Sequence, residues 1–152
     1  MIRIAMALTV LLPATALAQA AADSSAIRAT ALDYIEGWYA GDGDRMARAL
    51  HPQLAKRMVY DDPATGKSAL NDQTAEVLTD RTRRGGGSNT PAADRRADVR
   101  ILDIFGSAAV VRVDARDWVD YLQVVRVDGK WLIMNVLWEL RPEAKARMAR
   151  PR

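Results

Sequence analysis

From Ala97 to Leu140 the chain alternates in four consecutive β-rich runs: Val99 to Phe105, Ala108 to Ala115, Val119 to Val127 and Trp131 to Leu140. Gly106-Ser107 and Asp128-Gly129 are tight-turn signals, the second with the preference for a type I′ hairpin, and Ala115-Arg116-Asp117 supplies a longer middle turn. A period of two held across such turns specifies an antiparallel four-strand meander, and everything upstream must cover one of its faces. In the last run Trp131, Ile133, Asn135 and Leu137 alternate with Leu132, Met134, Val136 and Trp138. Both sets are largely apolar. This strand is therefore expected to lie centrally, covered by helices on one side and by a partner or ligand on the other.

Upstream the period changes to that of a helix. Ile27, Ala31, Tyr34, Ile35 and Trp38 fall on one helical face, with Ser24 and Ser25 as N-caps, and Gly41-Asp42-Gly43 breaks the pattern. A second helix capped by Asp44 sets Met46, Ala49 and Leu50 on its buried side and stops at His51-Pro52, because the residue before proline disfavours helical backbone. Leu54 to Tyr60 reads as a short turn or strand leading into the turn Asp61-Asp62-Pro63-Ala64-Thr65-Gly66. A third helix is expected over Leu70 to Thr82, with Leu70, Thr74, Val77 and Leu78 in one stripe and Arg81 at its solvent end. The glycines and arginines from Arg83 to Arg96 follow a helix and precede a strand, the reverse of a phosphate-binding loop, so they read as a C-cap with basic residues suited to the helix dipole. The fold class is α+β, a curved antiparallel sheet, the four-strand meander, packed on three N-terminal helices. One domain spans 26–142, between a linker at 19–25 and a basic tail at 143–152.

The first residues carry one positive charge at Arg3, then an apolar run from Ile4 to Leu12, then the small residues of Ala16-Leu17-Ala18. This is the pattern of a secretory signal peptide, residues 1–18, cleaved after Ala18 or Ala20; the apolar run is far shorter than the roughly 20 residues that span a bilayer. A periplasmic or secreted protein with no membrane association after cleavage is expected. The chain has no cysteine, which excludes disulfides, thiolate metal sites and cysteine nucleophiles, and its single histidine excludes a histidine metal cluster. No metal and no cofactor are expected. The 22 basic residues are scattered among 19 acidic ones, so nucleic acid is not an expected partner.

Tyr34-Ile35-Glu36-Gly37-Trp38-Tyr39-Ala40-Gly41-Asp42, Met46 with Leu50-His51-Pro52, Asp120-Tyr121-Leu122 and Asp128-Gly129-Lys130-Trp131-Leu132-Ile133 occur in the order helix, helix, turn, helix, meander. In these residues and this order the chain resembles the nuclear transport factor 2-like superfamily, in its "putative lumazine-binding" or SnoaL-like branch, from about Ala26 to Pro142. The resemblance implies a cone-shaped roll: a curved sheet wrapped on a long helix, enclosing an apolar cavity and often forming a homodimer through the outer sheet face. Relatives resembling ketosteroid isomerase and scytalone dehydratase place a carboxylate or imidazole and one or two phenols in that cavity, where apolar surroundings raise a carboxyl into the range of a usable acid or base.

Two residues are candidates for such catalysis. His51 is the one imidazole, although its place at a helix end also suits capping, and Asp61 follows Tyr60 in a turn where it either faces inward or forms an Asx-turn. Tyr34, Trp38, Trp118, Tyr121 and Trp138 are candidates for an aromatic ligand pocket, although aromatics at helical or strand spacing also make core. Asp120, on the face opposite Tyr121, is expected to pair structurally with Arg112 on the adjacent strand. The leading functional expectation is an exported cone-fold protein that binds a small apolar or planar ligand. The alternatives are an isomerase or dehydratase using Asp61 or His51 as proton carrier, and a non-catalytic dimerisation module.

Overall fold

A computed structural model describes residues 13–148; the apolar run Ile4–Leu12 of the expected signal peptide and residues 149–152 of the basic tail lie outside the described residues. The element order is α1 (Pro13–Ala40), α2 (Gly43–Ala49), β1 (Leu50–Asp61), β2 (Ser68–Thr74), α3 (Ala75–Arg83), β3 (Asp98–Phe105), β4 (Ala108–Asp114), β5 (Trp118–Val127), β6 (Lys130–Leu140) and α4 (Pro142–Met148). The strands form one six-stranded sheet in the order β2-β1-β6-β5-β4-β3, with β1 parallel to β6 and every other pair antiparallel.

The expected meander is β3 to β6, and β6 lies inside the sheet between β5 and β1. Asp128 and Gly129 both take positive φ, 49° and 77°, the backbone a type I′ turn requires. Four strands is nevertheless two too few. In β1 the inward positions are Leu54 and Lys56, so a lysine interrupts the apolar alternation that marks a strand. In β2 the buried side chain is Gln73 while Leu70 is 57% exposed, so the third helix begins only at Ala75, capped by the Thr74 hydroxyl accepting from the Val77 N–H.

Three further expectations change. Ser24 and Ser25 are not caps: α1 runs through residues 19–25, because the alanine-rich stretch after Pro13 contains no breaker before Gly37. Asp42, not Asp44, caps α2, its carboxylate accepting from the Arg45 N–H at 2.9 Å. The helix ends at Ala49, and Leu50-His51-Pro52 enters β1 at a register shift, where proline's missing N–H is tolerated. The tail after Pro142 is helical through Met148, with Ala144 buried.

The two faces of β6 also exchange partway along. Gln123 pairs with Asn135 but Val124 pairs with Ile133, which makes Met134 an extra residue. Trp131 and Ile133 point to the core before this bulge and Val136 after it, while Leu137 is 59% exposed. Bulges bend a sheet and increase its twist, and α1 lies across the face so formed, against β3, β4 and β6. Ile27, Ala31, Tyr34 and Ile35 of α1 are buried there against Val111, Val113, Leu122, Val124, Ile133 and Val136. Hydrogen bonds fix the helix along its length. The Asp23 carboxylate accepts from Arg126 and from the Trp131 indole, the Thr30 hydroxyl donates to the Trp131 carbonyl at 2.8 Å, and the Tyr39 hydroxyl accepts from the Arg116 N–H. Among the described residues no helix is long and apolar enough to cross a membrane.

At the far end of the sheet Asp114 accepts two hydrogen bonds from Arg112, at 2.7 and 2.8 Å, and one from Arg141 at 2.7 Å. These guanidinium groups, Arg112 first, hold its carboxyl well below the usual carboxylate range. A depressed folded-state value gives stability that is fully present above the unfolded value of about 3.9 and is lost as pH falls through the folded one. We expect Asp114→Asn to lower the urea midpoint at neutral pH and to flatten its fall under acid. Parallel midpoint-against-pH curves for the two proteins would contradict the assignment.

Candidate functional site

The site is built where α1, β1, β5 and β6 converge. Asp120 is the inward residue of β5 opposite Trp138 of β6, and it is fully buried. Lys56 reaches it from β1, its ammonium 2.5 Å from Oδ1, with the lysine side chain 7% exposed. The Tyr34 hydroxyl, from α1, donates to Oδ2 at 3.1 Å and accepts from Lys56 at 2.7 Å. The Trp118 indole N–H also donates to Oδ2, at 2.6 Å. Both carboxylate oxygens are thus occupied, and the buried charges are paired and hydrogen-bonded, the condition under which charge survives in a core.

Burial sets the titration of this group. It lowers the Lys56 pKa below the ordinary lysine value, against the opposing pull of Asp120, and Arg81 adds to the lowering. Burial also raises Tyr34 well above the ordinary phenol value, and the negative charge of Asp120 adds to it. Tyr34 therefore remains a neutral hydroxyl donor.

Above this floor lies a cavity of about 90 Å³. Its walls are the indoles of Trp38, Trp118 and Trp138 with Met46 and Leu78, and Gln73 and Arg81 complete it from β2 and α3. Trp118 stands edge-on to both other indoles, at centroid separations of 6.3 Å to Trp38 and 6.5 Å to Trp138, the arrangement the ring quadrupole favours. The Lys56 ammonium lies 4.7 Å from the Trp138 ring centroid. Trp38 is held from behind by the glycine loop. The Gly87 N–H donates to the Trp38 carbonyl at 2.9 Å, and a Cβ on Gly87 would fall 2.4 Å from the Trp38 indole nitrogen. Gly85 and Gly86 return N–H groups to the last carbonyls of α3, so the loop both caps that helix and seats the indole.

The residues singled out from sequence divide between this cavity and other places. Tyr34, Trp38, Trp118 and Trp138 line it. Tyr121 does not: it neighbours Asp120 on β5 and so points to the outer face, 42% exposed beside Arg112. That register also corrects the partner expected for Asp120, because Arg112 stands opposite Tyr121 and binds Asp114. His51 is not among the lining residues; its Nδ1 accepts from the Gln53 N–H within β1. Asp61 is exposed at the end of β1, accepting from the Ser68 hydroxyl, while Asp62 makes the Asx-turn by accepting from the Ala64 N–H. Lys56, Gln73 and Arg81 were not among the candidates. The signal for Lys56 was the period of two through Leu54, Lys56, Met58 and Tyr60, which places a lysine on the inward face.

A family model described as "Putative lumazine-binding" matches residues 22–139. No curated protein matches the chain. Among solved structures, an NTF2-like protein of unknown function from Shewanella baltica is 23% identical, with a TM-score of 0.59 over 80% of this chain and 96% of that one. An NTF2-like protein with a cystatin-like fold from Novosphingobium aromaticivorans is 13% identical, with a TM-score of 0.64 over 92% and 97%. A protein from the same organism described as a putative scytalone dehydratase is 14% identical, with a TM-score of 0.53 over 82% and 88%. At these identities the likeness shows the fold alone.

Removing the carboxylate should be far more damaging than removing one of its donors. Asp120→Ala strands the buried Lys56 charge and is expected to cost about 3–5 kcal/mol, whereas Tyr34→Phe leaves Asp120 with Lys56 and Trp118 and is expected to cost about 1 kcal/mol. Urea denaturation measures both. Equal losses would show that Asp120 does not organise the site.

Proposed function

The chain belongs to the putative lumazine-binding family, and from that premise we propose that it is an exported small-molecule-binding domain whose ligand enters the cavity walled by Trp38, Trp118 and Trp138. The observation that carries this reading is the unfilled space itself. Protein interiors are close-packed, yet here three indoles and Lys56 line about 90 Å³ that no side chain occupies. Apolar walls with a few fixed polar groups are the usual make-up of a ligand site.

The volume narrows the expectation of a planar ligand. A cavity of about 150 Å³ is the size known to hold benzene, so the space described here suits a smaller molecule or one end of a larger one. An isomerase or dehydratase resting on His51 or Asp61 finds no support, since neither side chain lines the cavity. Export is supported by the start of the domain. Leu17 is 71% exposed, the side chains from 18 to 22 are exposed, and Asp23 is tied to Arg126 and Trp131 on the sheet. Cleavage after Ala18 or Ala20 therefore leaves the core intact. A homodimer through the outer sheet face belongs to the same reading, supported by Tyr121 and Leu137 standing 42% and 59% exposed there.

Native mass spectrometry of the protein from its own host reads all three elements. We expect a dimer of chains beginning at Gln19 or Ala21, each carrying an added mass that is lost when Leu78→Phe fills the cavity. Empty protein would overturn ligand binding, a chain retaining Met1 would overturn export, and a strict monomer would overturn the dimer.

A further inference from the structure

The hydrogen-bonding capacity of this cavity is unbalanced. Each of its acceptor oxygens is already engaged: Asp120 Oδ1 by Lys56, Oδ2 by Tyr34 and Trp118, the Tyr34 oxygen by Lys56, and Gln73 Oε1 by Arg81 at 3.1 Å. Its donors are not. The Trp138 indole N–H is buried with no partner, the one side-chain group in that condition among the described residues. An ammonium has three donors and Lys56 uses two, on Tyr34 and Asp120. A guanidinium has five donors, and Arg81, exposed at the cavity's edge, uses one on Gln73. Charge is unbalanced in the same direction: Lys56 and Arg81 both line the cavity, and Asp120 pairs with Lys56 alone.

We infer that the ligand of this cavity is a small monocarboxylate with a short apolar body, its carboxylate meeting the unused donors of Trp138, Lys56 and Arg81. This rests on the reading of the cavity as a ligand site. An entering ammonium would meet two cations and only oxygens that are already engaged, and an apolar molecule would leave the Trp138 N–H unpaired, which is unfavourable for a buried donor. A planar carboxylate matches the fork of a guanidinium, and its single negative charge offsets the single excess positive one. A phosphate monoester carries close to two charges and three strong acceptor oxygens, too much for walls made of three indoles, Met46 and Leu78. The same walls suit a few methylene groups.

Titrating the full mature protein with butyrate, butyramide, butylamine and inorganic phosphate, followed by indole fluorescence and by calorimetry, tests the assignment. Butyrate is expected to bind at least about tenfold more tightly than butyramide, butylamine is expected not to bind, and added salt should weaken butyrate. Trp138→Phe keeps an aromatic side chain, removes the unpaired N–H and leaves more space in the wall. It should weaken butyrate about tenfold in a protein that still melts cooperatively; Arg81→Gln should weaken butyrate and reduce its salt dependence. Equal or tighter binding of butyramide, butylamine or phosphate would overturn the carboxylate assignment while leaving a ligand site in place. Failure of all four probes would overturn it too, and the host-purified mass then decides separately whether the cavity holds a ligand at all.

Discussion

The ion pair between Lys56 and Asp120 joins parts of the chain that are otherwise far apart in sequence. It ties β1 to β5 across β6, and through Tyr34 it fixes the middle of α1 against the same point. A buried pair of this kind contributes little net stability compared with apolar residues of the same shape, but removing one partner leaves a stranded charge. Its effect is on geometry. Each of the four side chains in the network is held by at least one other, so the floor of the cavity has one arrangement, and the indole of Trp118 takes its orientation from the same carboxylate.

That fixed floor explains why the walls are aromatic and why the glycines lie where they do. With Trp118 held by Asp120, Trp38 and Trp138 pack edge-on against its two sides, and the loop after α3 must approach Trp38 closely to hold it. Gly86 and Gly87 permit this approach: a Cβ on Gly86 would lie 2.8 Å from the Trp38 carbonyl oxygen, and Gly86 itself takes a φ of 48°. The triple glycine is a packing device for the site as well as the end of a helix.

How far all this could be read from the sequence depended on whether apolar periodicity survived. In β3 to β6 it did, and the hairpins, their turns and the interior place of β6 followed from it. In β1 and β2 it did not, because the inward positions hold Lys56 and Gln73 while Leu70 faces solvent. These two strands supply half of the cavity's polar lining, so the pattern failed where polar side chains take inward positions. The bulge at Met134 was illegible for another reason: one inserted residue exchanges the faces of everything after it, and nothing in the local composition marks the place. Tyr34, Trp38, Trp118 and Trp138 could be singled out because aromatic residues stand out in any pattern. Asp120 could be placed on the correct face but not given its partner, which comes from a strand the pattern concealed.

The unpaired Trp138 N–H and the empty volume are separate departures from a well-packed interior, and both fall at Trp138. Either alone has a structural explanation, since proteins carry small voids and a few unsatisfied groups. Here both involve Trp138, beside the cations of Lys56 and Arg81. An apolar side chain at position 138 would remove the unpaired donor, and a larger one at Leu78 would remove the space. The present residues keep both, beside an ion pair that fixes their surroundings. A site whose acceptor oxygens are engaged and whose donors are left over has more capacity for acceptor groups than for donors.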